Sequence, residues 1–162
     1  EFVRAFSRKY PRLDFEICGS IASCVGPADI VCTLTPVRTP IVRSEWIRPG
    51  THINAMGADA EGKEELEPAL LKRARVIIDD WAQASHSGEI NVPLRKGLIT
   101  RDDIAAEIGQ VVAGLKPGRK AEQDITIFDS TGLGVQDLVT ASKIYKLARA
   151  RKLGRQLDLI AG

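Results

Sequence analysis

The sequence predicts an α/β fold, built as a three-layer sandwich around a mostly parallel sheet. Two observations lead to this prediction. Short apolar runs rich in Ile and Val alternate along the chain with amphipathic stretches of helical spacing, a pattern typical of parallel α/β units. Breakers such as Pro36, Gly57 and Pro117-Gly118 separate these segments, so each segment has the length of one strand or one helix.

Five short apolar runs are predicted as strands, because they are β-branched or aromatic and end at polar or breaker residues. In chain order they are Leu13–Cys18, Ala28–Pro36, Thr51–Met56, Arg75–Asp80 and Asp124–Asp129. Ligands of parallel α/β sheets bind outside the carboxyl ends of the strands. The residues that follow these strands are therefore the first candidates for function.

The amphipathic stretches are predicted as helices. They are Glu1–Tyr10, Ile21–Val25, Lys63–Ala74, a helix that begins at Thr100-x-x-Asp103 and runs to Leu115, and Gly134–Leu153. The fourth has a capping-box start, an apolar face from Ile104 to Leu115 and a stop at Pro117-Gly118. Pro40–Trp46 is predicted as a connector, Gln83–Leu98 as an irregular segment and Gln156–Ile160 as a short tail.

Composition narrows the classes of partner. The chain has 162 residues, 23 basic and 21 acidic, for a formal net charge of +2. This balance gives no electrostatic reason to expect nucleic acid or a membrane surface as a partner. No apolar run approaches the ~20 residues of a membrane span. These features predict a cytoplasmic protein.

The cysteines predict neither disulfides nor a metal site. Cys18, Cys24 and Cys32 are odd in number and lack Cys-x-x-Cys spacing, and the chain has only two histidines. We expect reduced, packed thiols in a cytosolic protein and no bound metal.

Three segments after predicted strands could carry chemistry, and each has a plain structural alternative. Thr35 and Pro36 could face a nucleotide or simply form a Thr-Pro turn. Asp59 and Lys63 lie four residues apart on a glycine-containing loop, where Asp59 could be a general base. An acidic residue there could equally favour the dipole of the following helix.

The third segment runs from Asp129 through Ser130, Thr131 and Gly132 to Gly134. A glycine-rich turn between a strand and a helix can hold an anion. The last glycine of the usual dinucleotide fingerprint is replaced here by Asp137. A tight turn with a hydroxyl near the helix cap accounts for the same pattern.

Taken together, these segments resemble the ornithine cyclodeaminase, alanine dehydrogenase and mu-crystallin family over essentially the whole chain. The most specific matches are His-Ile-Asn-Ala-x-Gly-Ala-Asp, which ends at Asp59, and Ile-Phe-Asp-Ser-Thr-Gly, which ends at Gly132. Weaker matches are Ala28-Asp-Ile-Val with Thr35-Pro36, Gly62-Lys63-x-Glu-Leu66, Gly88-Glu89-Ile90 and Gly109 with Gly114.

The resemblance implies a Rossmann-like domain that binds NAD, with NADP possible, and a role for each loop. Asp59 matches the catalytic acid/base of the cyclodeaminases. Thr35 and Lys63 match cofactor contacts, Ser130 is expected near the nicotinamide, and Thr131 is expected at the substrate. The mu-crystallin branch has Ser at the position of Asp59 and lacks the Gly-Lys step, so this sequence is more similar to the enzymatic branches.

The resemblance also implies a larger protein. Residue 1 is Glu, inside a predicted helix, and we expect the chain to be a fragment or a processed product. Residues 1–162 are expected to form a partial NAD(P)-binding domain that lacks its first βα unit. The N-terminal substrate and dimerisation domain is not part of this sequence. The full-length protein is expected to be a homodimer.

The implied reaction is hydride transfer between the α-carbon of an amino acid and the nicotinamide. In one version ornithine becomes proline and ammonia. In others the protein is an alanine dehydrogenase or an imine reductase, and its substrate is a small amino or keto acid. The competing class is a non-catalytic, mu-crystallin-like binding protein or an inactive fragment.

We expect the 162-residue chain alone to bind NAD weakly or not at all. The reason is that the sequence contains no Gly-x-Gly phosphate loop after a first strand, and this loop supplies the amides that hold the pyrophosphate. Isothermal titration calorimetry with NAD checks this, and tight binding would contradict it.

Overall fold

The computed structural model, which describes residues 1–155 and 157, contains a five-stranded sheet in the order β1-β2-β5-β3-β4. All the pairings are parallel. The strands are β1 (Ile30–Thr33), β2 (His52–Ala55), β3 (Arg75–Ile78), β4 (Ile104–Glu107) and β5 (Thr126–Asp129). The prediction of a mostly parallel, Rossmann-like α/β fold is therefore confirmed.

The described residues contain seven α-helices, two before β1 and five between or after the strands. They are α1 (Phe2–Lys9), α2 (Ile21–Val25), α3 (Pro68–Arg73), α4 (Trp81–Ser87), α5 (Asn91–Arg95), α6 (Ile108–Val112) and α7 (Gly134–Ala150). Single 3₁₀ turns lie at Ser44–Trp46 and Arg101–Asp103.

The core lies where the central strands pack against α3. Ile53 of β2, Ile127 of β5 and Val76 of β3 are fully buried, as is Leu70 of α3. These residues are aliphatic, as the low aromatic content of 5% requires. The buried centre fixes β2 beside β5, and this pairing positions the loops that follow both strands.

Contact density divides the chain after Thr131 into two units. The first contains the whole sheet. The second contains α7, which begins at Gly134 as predicted and ends at Ala150 rather than at Leu153. The predicted tail Gln156–Ile160 lies outside the described residues, apart from Leu157.

The predicted strand Leu13–Cys18 is wrong, because no strand forms in these residues. Leu13 and Ile17 are 59% and 78% exposed. A strand needs a neighbour that completes its backbone hydrogen bonds, and the five-stranded sheet includes no partner for this segment.

The prediction of an irregular Gln83–Leu98 is also wrong, because α4 and α5 occupy most of it. Asp80 caps α4 by accepting a hydrogen bond from the Gln83 amide at 2.9 Å. Gly88 ends α4, and Pro93 lies in the first turn of α5. Proline is tolerated there because that amide needs no partner within the helix.

The helix predicted from Thr100 is instead a 3₁₀ turn, strand β4 and the short helix α6. The capping box is present, with Thr100 and Asp103 as its partners. Ile104–Glu107 then pairs with β3. A short apolar run of this kind is compatible with the spacing of a helix or of a strand. Here the pairing with β3 makes it a strand.

The helix predicted at Lys63–Ala74 begins only at Pro68, with Glu67 at its N-cap. Proline at the first helical position favours this start. The preceding residues are held by backbone and side-chain contacts described below.

The cysteines are free, but the prediction that they are packed is wrong. Cys24 and Cys32 are exposed and Cys18 is partly exposed. In the described part of the chain, no helix is long and apolar enough to cross a membrane. Residues 1–155 and 157 also contain no cluster of three or more His, Cys, Asp or Glu suited to a metal ion.

Candidate active site

The carboxyl ends of three neighbouring strands place the candidate residues at one edge of the sheet. Thr33, Ala55 and Asp129 end β1, β2 and β5 and lie side by side in register. We call the segments that follow them the β1 loop (residues 34–36), the β2 loop (residues 56–63) and the β5 loop (residues 130–131).

Glu65 joins the β1 loop to the β2 loop. Its Oε1 accepts hydrogen bonds from the Thr35 amide at 2.6 Å and the Thr35 hydroxyl at 2.7 Å. Its Oε2 accepts from the Gly57 amide at 3.0 Å. Glu65 is completely buried, so its oxygens satisfy backbone donors that water does not reach.

Gly57 is required by this close approach. A Cβ atom at this position would lie 2.5 Å from Cδ of Glu65 and still closer to the Thr35 carbonyl oxygen. Real Cβ atoms do not come so near to backbone and carboxylate groups. Only glycine allows the β1 and β2 loops to pack at this distance.

Asp59 and Lys63 form an ion pair on the β2 loop. The Asp59 side chain is 62% exposed, whereas that of Lys63 is 19% exposed. The hydrogen bond and the charge of Lys63 hold the pKa of Asp59 below its usual value. Asp59 is therefore an ionised carboxylate that faces solvent.

Asn91 fixes the end of the β2 loop that carries Lys63. Its Oδ1 accepts from the Gly62 amide at 3.0 Å, and its Nδ2 donates to the Lys63 carbonyl oxygen at 3.0 Å. Nδ2 also donates to the Gly88 carbonyl oxygen at 2.6 Å. The loop is thus tied to the start of α5.

The β5 loop continues the sheet for one residue and then turns. The Ser130 amide donates to the Ala55 carbonyl oxygen at 3.0 Å. Ser130 is buried, and its hydroxyl makes no hydrogen bond with any described residue. Thr131 donates from its amide to Asp79 Oδ2 at 2.6 Å and from its hydroxyl to the same carboxylate at 2.9 Å. The Thr131 hydroxyl oxygen can still accept a hydrogen bond.

Behind the loops, Glu89 and Asp129 continue the series of buried acids. Glu89 Oε1 accepts from the amides of Glu65 at 2.9 Å and Leu66 at 2.6 Å. Asp129 accepts in turn from the amides of Glu89 at 2.9 Å and Ile90 at 3.2 Å. Glu89 thus holds the backbone amide of Glu65, and Asp129 holds the backbone amide of Glu89.

Burial raises the pKa of both carboxyl groups. The pKa of Glu89 lies well above its usual value because the group is removed from water, and the charge of Asp129 acts in the same direction. The pKa of Asp129 rises to about 7 for the same reason, although its two amide hydrogen bonds oppose the shift.

The structure brings the predicted residues to one edge but links only some of them. Asp59 contacts Lys63, and Thr35 is joined through Glu65 to the Gly57 turn. Within the described residues, no hydrogen bond joins Asp59 to Thr35, Ser130 or Thr131. The individual roles assigned to these five residues stay predictions.

Sequence reasoning missed the residues that hold the loops, namely Glu65, Asp79, Glu89 and Asn91. Glu65 and Glu89 lie inside quoted motifs, but nothing in those motifs identifies their partners. The only local signal is the apolar residue that follows each acid, in Glu65-Leu66 and Glu89-Ile90, because the other neighbours in sequence are mostly polar. Acidic residues that become buried need hydrogen-bond partners.

Comparison with known proteins identifies relatives. The model of the ornithine cyclodeaminase/mu-crystallin family matches residues 1–152. Alanine dehydrogenase of Archaeoglobus fulgidus is 48% identical over 143 residues, which are 85% of this chain and 44% of that protein. The chain thus spans less than half the length of this curated relative.

Two solved structures have the same fold. An archaeal alanine dehydrogenase dimer with bound NAD superposes with a TM-score of 0.88 and 41% identity. Delta(1)-pyrroline-2-carboxylate reductase of Thermococcus litoralis, in complex with NADH and L-proline, gives a TM-score of 0.89 and 31% identity. Each alignment covers 96% of this chain and 48% of the other.

The raised pKa of Asp129 predicts a pH-dependent stability. Between the ordinary Asp pKa near 4 and the folded value of about 7, the folded chain holds a proton that the unfolded chain has released. The free energy of unfolding therefore falls as pH rises through this window, by at most ~1.4 kcal/mol per pH unit from this group. In Asp129→Asn this contribution is lost, so the slope is shallower.

Urea unfolding at several pH values between about 4 and 7 measures this slope. Asp124→Asn is the matched control, because the pKa of Asp124 is lowered and its titration lies below the window. We expect the control to keep the wild-type slope. An unchanged slope in Asp129→Asn would show that Asp129 does not titrate in this window.

Proposed function

Since the chain belongs to the ornithine cyclodeaminase/mu-crystallin family, we propose that it is the nucleotide-binding part of an NAD(P)-dependent enzyme that transfers a hydride at the α-carbon of an amino acid. The observation that carries this proposal is the ion pair between the exposed Asp59 and the partly buried Lys63, on a loop that Glu65 anchors beside Thr35. The pair lies at the carboxyl edge of a parallel sheet, where nucleotides bind in such folds.

The groups at this edge fit a nicotinamide nucleotide. The Ser130 hydroxyl has no hydrogen-bond partner among the described residues. Thr35 lies in the loop that follows β1. Neutral hydroxyl and amide groups suit the carboxamide of nicotinamide. Lys63 would supply a positive charge for a phosphate or a donor for a ribose hydroxyl. When bound, NAD accepts the hydride from the substrate or returns it.

Asp59 is suited to move the proton that accompanies the hydride. Lys63 keeps it ionised, so at neutral pH it can accept a proton. In oxidation, the α-carbon loses its hydrogen with two electrons, the amine loses a proton to Asp59, and a C=N bond forms. In the reverse direction, Asp59 returns the proton as the imine is reduced. Thr131 is proposed to contact the substrate, since its hydroxyl oxygen can accept a hydrogen bond.

What happens to the imine distinguishes the possible reactions. An alanine dehydrogenase hydrolyses it, so that alanine yields pyruvate and ammonia. An imine reductase runs the hydride step towards the amine. An ornithine cyclodeaminase lets the side-chain amine attack the imine, releases ammonia and returns the hydride to give proline. The relatives named above support the first two, and cyclodeamination stays a candidate because it uses the same carboxylate.

The direct test is a substrate panel on the natural protein, as its source expresses it. Alanine and ornithine are supplied with NAD⁺, and pyruvate with ammonia or Δ1-pyrroline-2-carboxylate with NADH, and the absorbance of NADH is followed. Proline formed from ornithine without net NADH would identify cyclodeamination. NAD binding without turnover of any amino or imino acid would favour the mu-crystallin-like binding protein instead. The natural protein is also proposed to be a homodimer, as the archaeal alanine dehydrogenase is.

We expect Asp59→Asn to reduce kcat by at least about 100-fold, because general acid/base groups contribute rate factors of this order. The fold and the affinity for NAD should be retained, since the Asp59 side chain is largely exposed. Steady-state kinetics and NAD titration of the natural protein measure both quantities.

Glu61→Gln is the matched control. Glu61 is an exposed acid on the same loop, and it pairs with Arg95 rather than with Lys63. Its substitution should leave kcat within about twofold of wild type. Near-normal turnover in Asp59→Asn would remove Asp59 from the mechanism.

A further inference from the structure

We propose that Glu65 is a positioning residue that sets the distance between the cofactor-contacting β1 loop and the β2 loop that carries the acid/base. The proposal rests on the function proposed above. Glu65 does not face the substrate edge itself, because it is completely buried. It acts through the backbone of Thr35 and Gly57.

The groups around Glu65 require an acceptor at each of its two side-chain oxygens. Three groups point at its two oxygens, namely the Thr35 amide, the Thr35 hydroxyl and the Gly57 amide, at 2.6, 2.7 and 3.0 Å. Each of them donates. A glutamine has only one acceptor oxygen, so its NH₂ group would oppose an N–H donor on one side. The amide of one loop would be left without a partner.

Hydrogen bonds on both sides hold the backbone of Glu65 in place, so its side chain has a fixed starting point. Its amide donates to Glu89 Oε1 at 2.9 Å. Its carbonyl oxygen accepts from the amides of Ile41 at 2.8 Å and Val42 at 3.0 Å. Since the backbone is fixed on both sides, the position of the carboxylate determines where the two loops lie.

The same contact closes the β2 loop around the reactive pair. Lys63 lies two residues before Glu65, and Gly57 lies two residues before Asp59. The Asp59 amide donates to the Gly57 carbonyl oxygen at 3.1 Å. Glu65 thus joins both ends of the segment that holds Asp59 and Lys63, and loss of the bond to Gly57 would release one end.

Glu64 provides a matched control next in the chain. It is also buried, at 2% exposure. Its Oε2 lies 3.6 Å from the Lys96 ammonium nitrogen, and its Oε1 has no hydrogen-bond partner within the described residues. The Glu64 carboxylate contacts neither Thr35 nor Gly57. Glu64→Gln and Glu65→Gln therefore make the same chemical change at equal burial, and only the second affects the site loops.

The experiment compares the two variants in the natural protein by three measurements. These are amide hydrogen exchange at Thr35 and Gly57, the dissociation constant of NAD, and the kcat and KM of the reaction. In Glu65→Gln we expect faster exchange at one or both amides, NAD binding weaker by about tenfold or more, and a lower kcat. In Glu64→Gln we expect all three within about twofold of wild type, whatever its melting temperature.

Each outcome decides the proposal. Equal losses of NAD affinity and kcat in Glu64→Gln and Glu65→Gln would mean that Glu65 serves only stability. Wild-type NAD affinity and kcat in Glu65→Gln would overturn the positioning role. If Glu65→Gln does not fold, Glu65→Asp replaces it, because it keeps both acceptor oxygens but is one methylene too short to span both loops. A wild-type protein that neither binds NAD nor turns over substrate would refute the proposed function. The exchange data would then still show whether Glu65 joins the loops.

Discussion

The site depends on carboxylates buried against backbone amides at the carboxyl edge of the sheet. Strands end there, and the amides of Thr35, Gly57 and Thr131 in the following loops lie beyond the ladder of sheet hydrogen bonds. Burying an unpaired amide or an unpaired charge is costly, but each satisfies the other. Glu65, Glu89 and Asp129 form a series in which each carboxylate accepts from backbone beside its neighbour or from the site loops. Asp79 does the same for Thr131.

The acids of this edge fall into two environments, and the environments separate their roles. Burial raises the pKa of Glu89 and Asp129, and both groups accept hydrogen bonds from backbone amides. Asp59 faces solvent, and Lys63 lowers its pKa. A molecule in solvent can reach the exposed Asp59 carboxylate, whereas the side chains of Glu89 and Asp129 are completely buried.

Much of this arrangement could be predicted from sequence, because it depends on local pattern. The β-branched runs before Thr35, Asp59 and Ser130 are strands, and a parallel sheet brings their ends to one edge. The contacts that hold the edge could not be predicted, because Glu65 and Thr35 are separated by 30 residues. Similarly, the spacing of apolar residues in Ile104–Glu107 does not distinguish a helix from a strand, and pairing with β3 makes this segment a strand.

We propose that the Asp59 edge serves hydride transfer from the α-carbon of an amino acid. The test supplies the natural protein with NAD⁺ and a substrate from the panel deuterated at its α-carbon, and measures the mass of the reduced cofactor. For a substrate that is oxidised without ring closure, we expect every NADH formed to be one mass unit heavier, with deuterium at C4 of the nicotinamide. NADH formed without deuterium would contradict the proposal. So would an amino acid that is consumed without ring closure and yields no NADH.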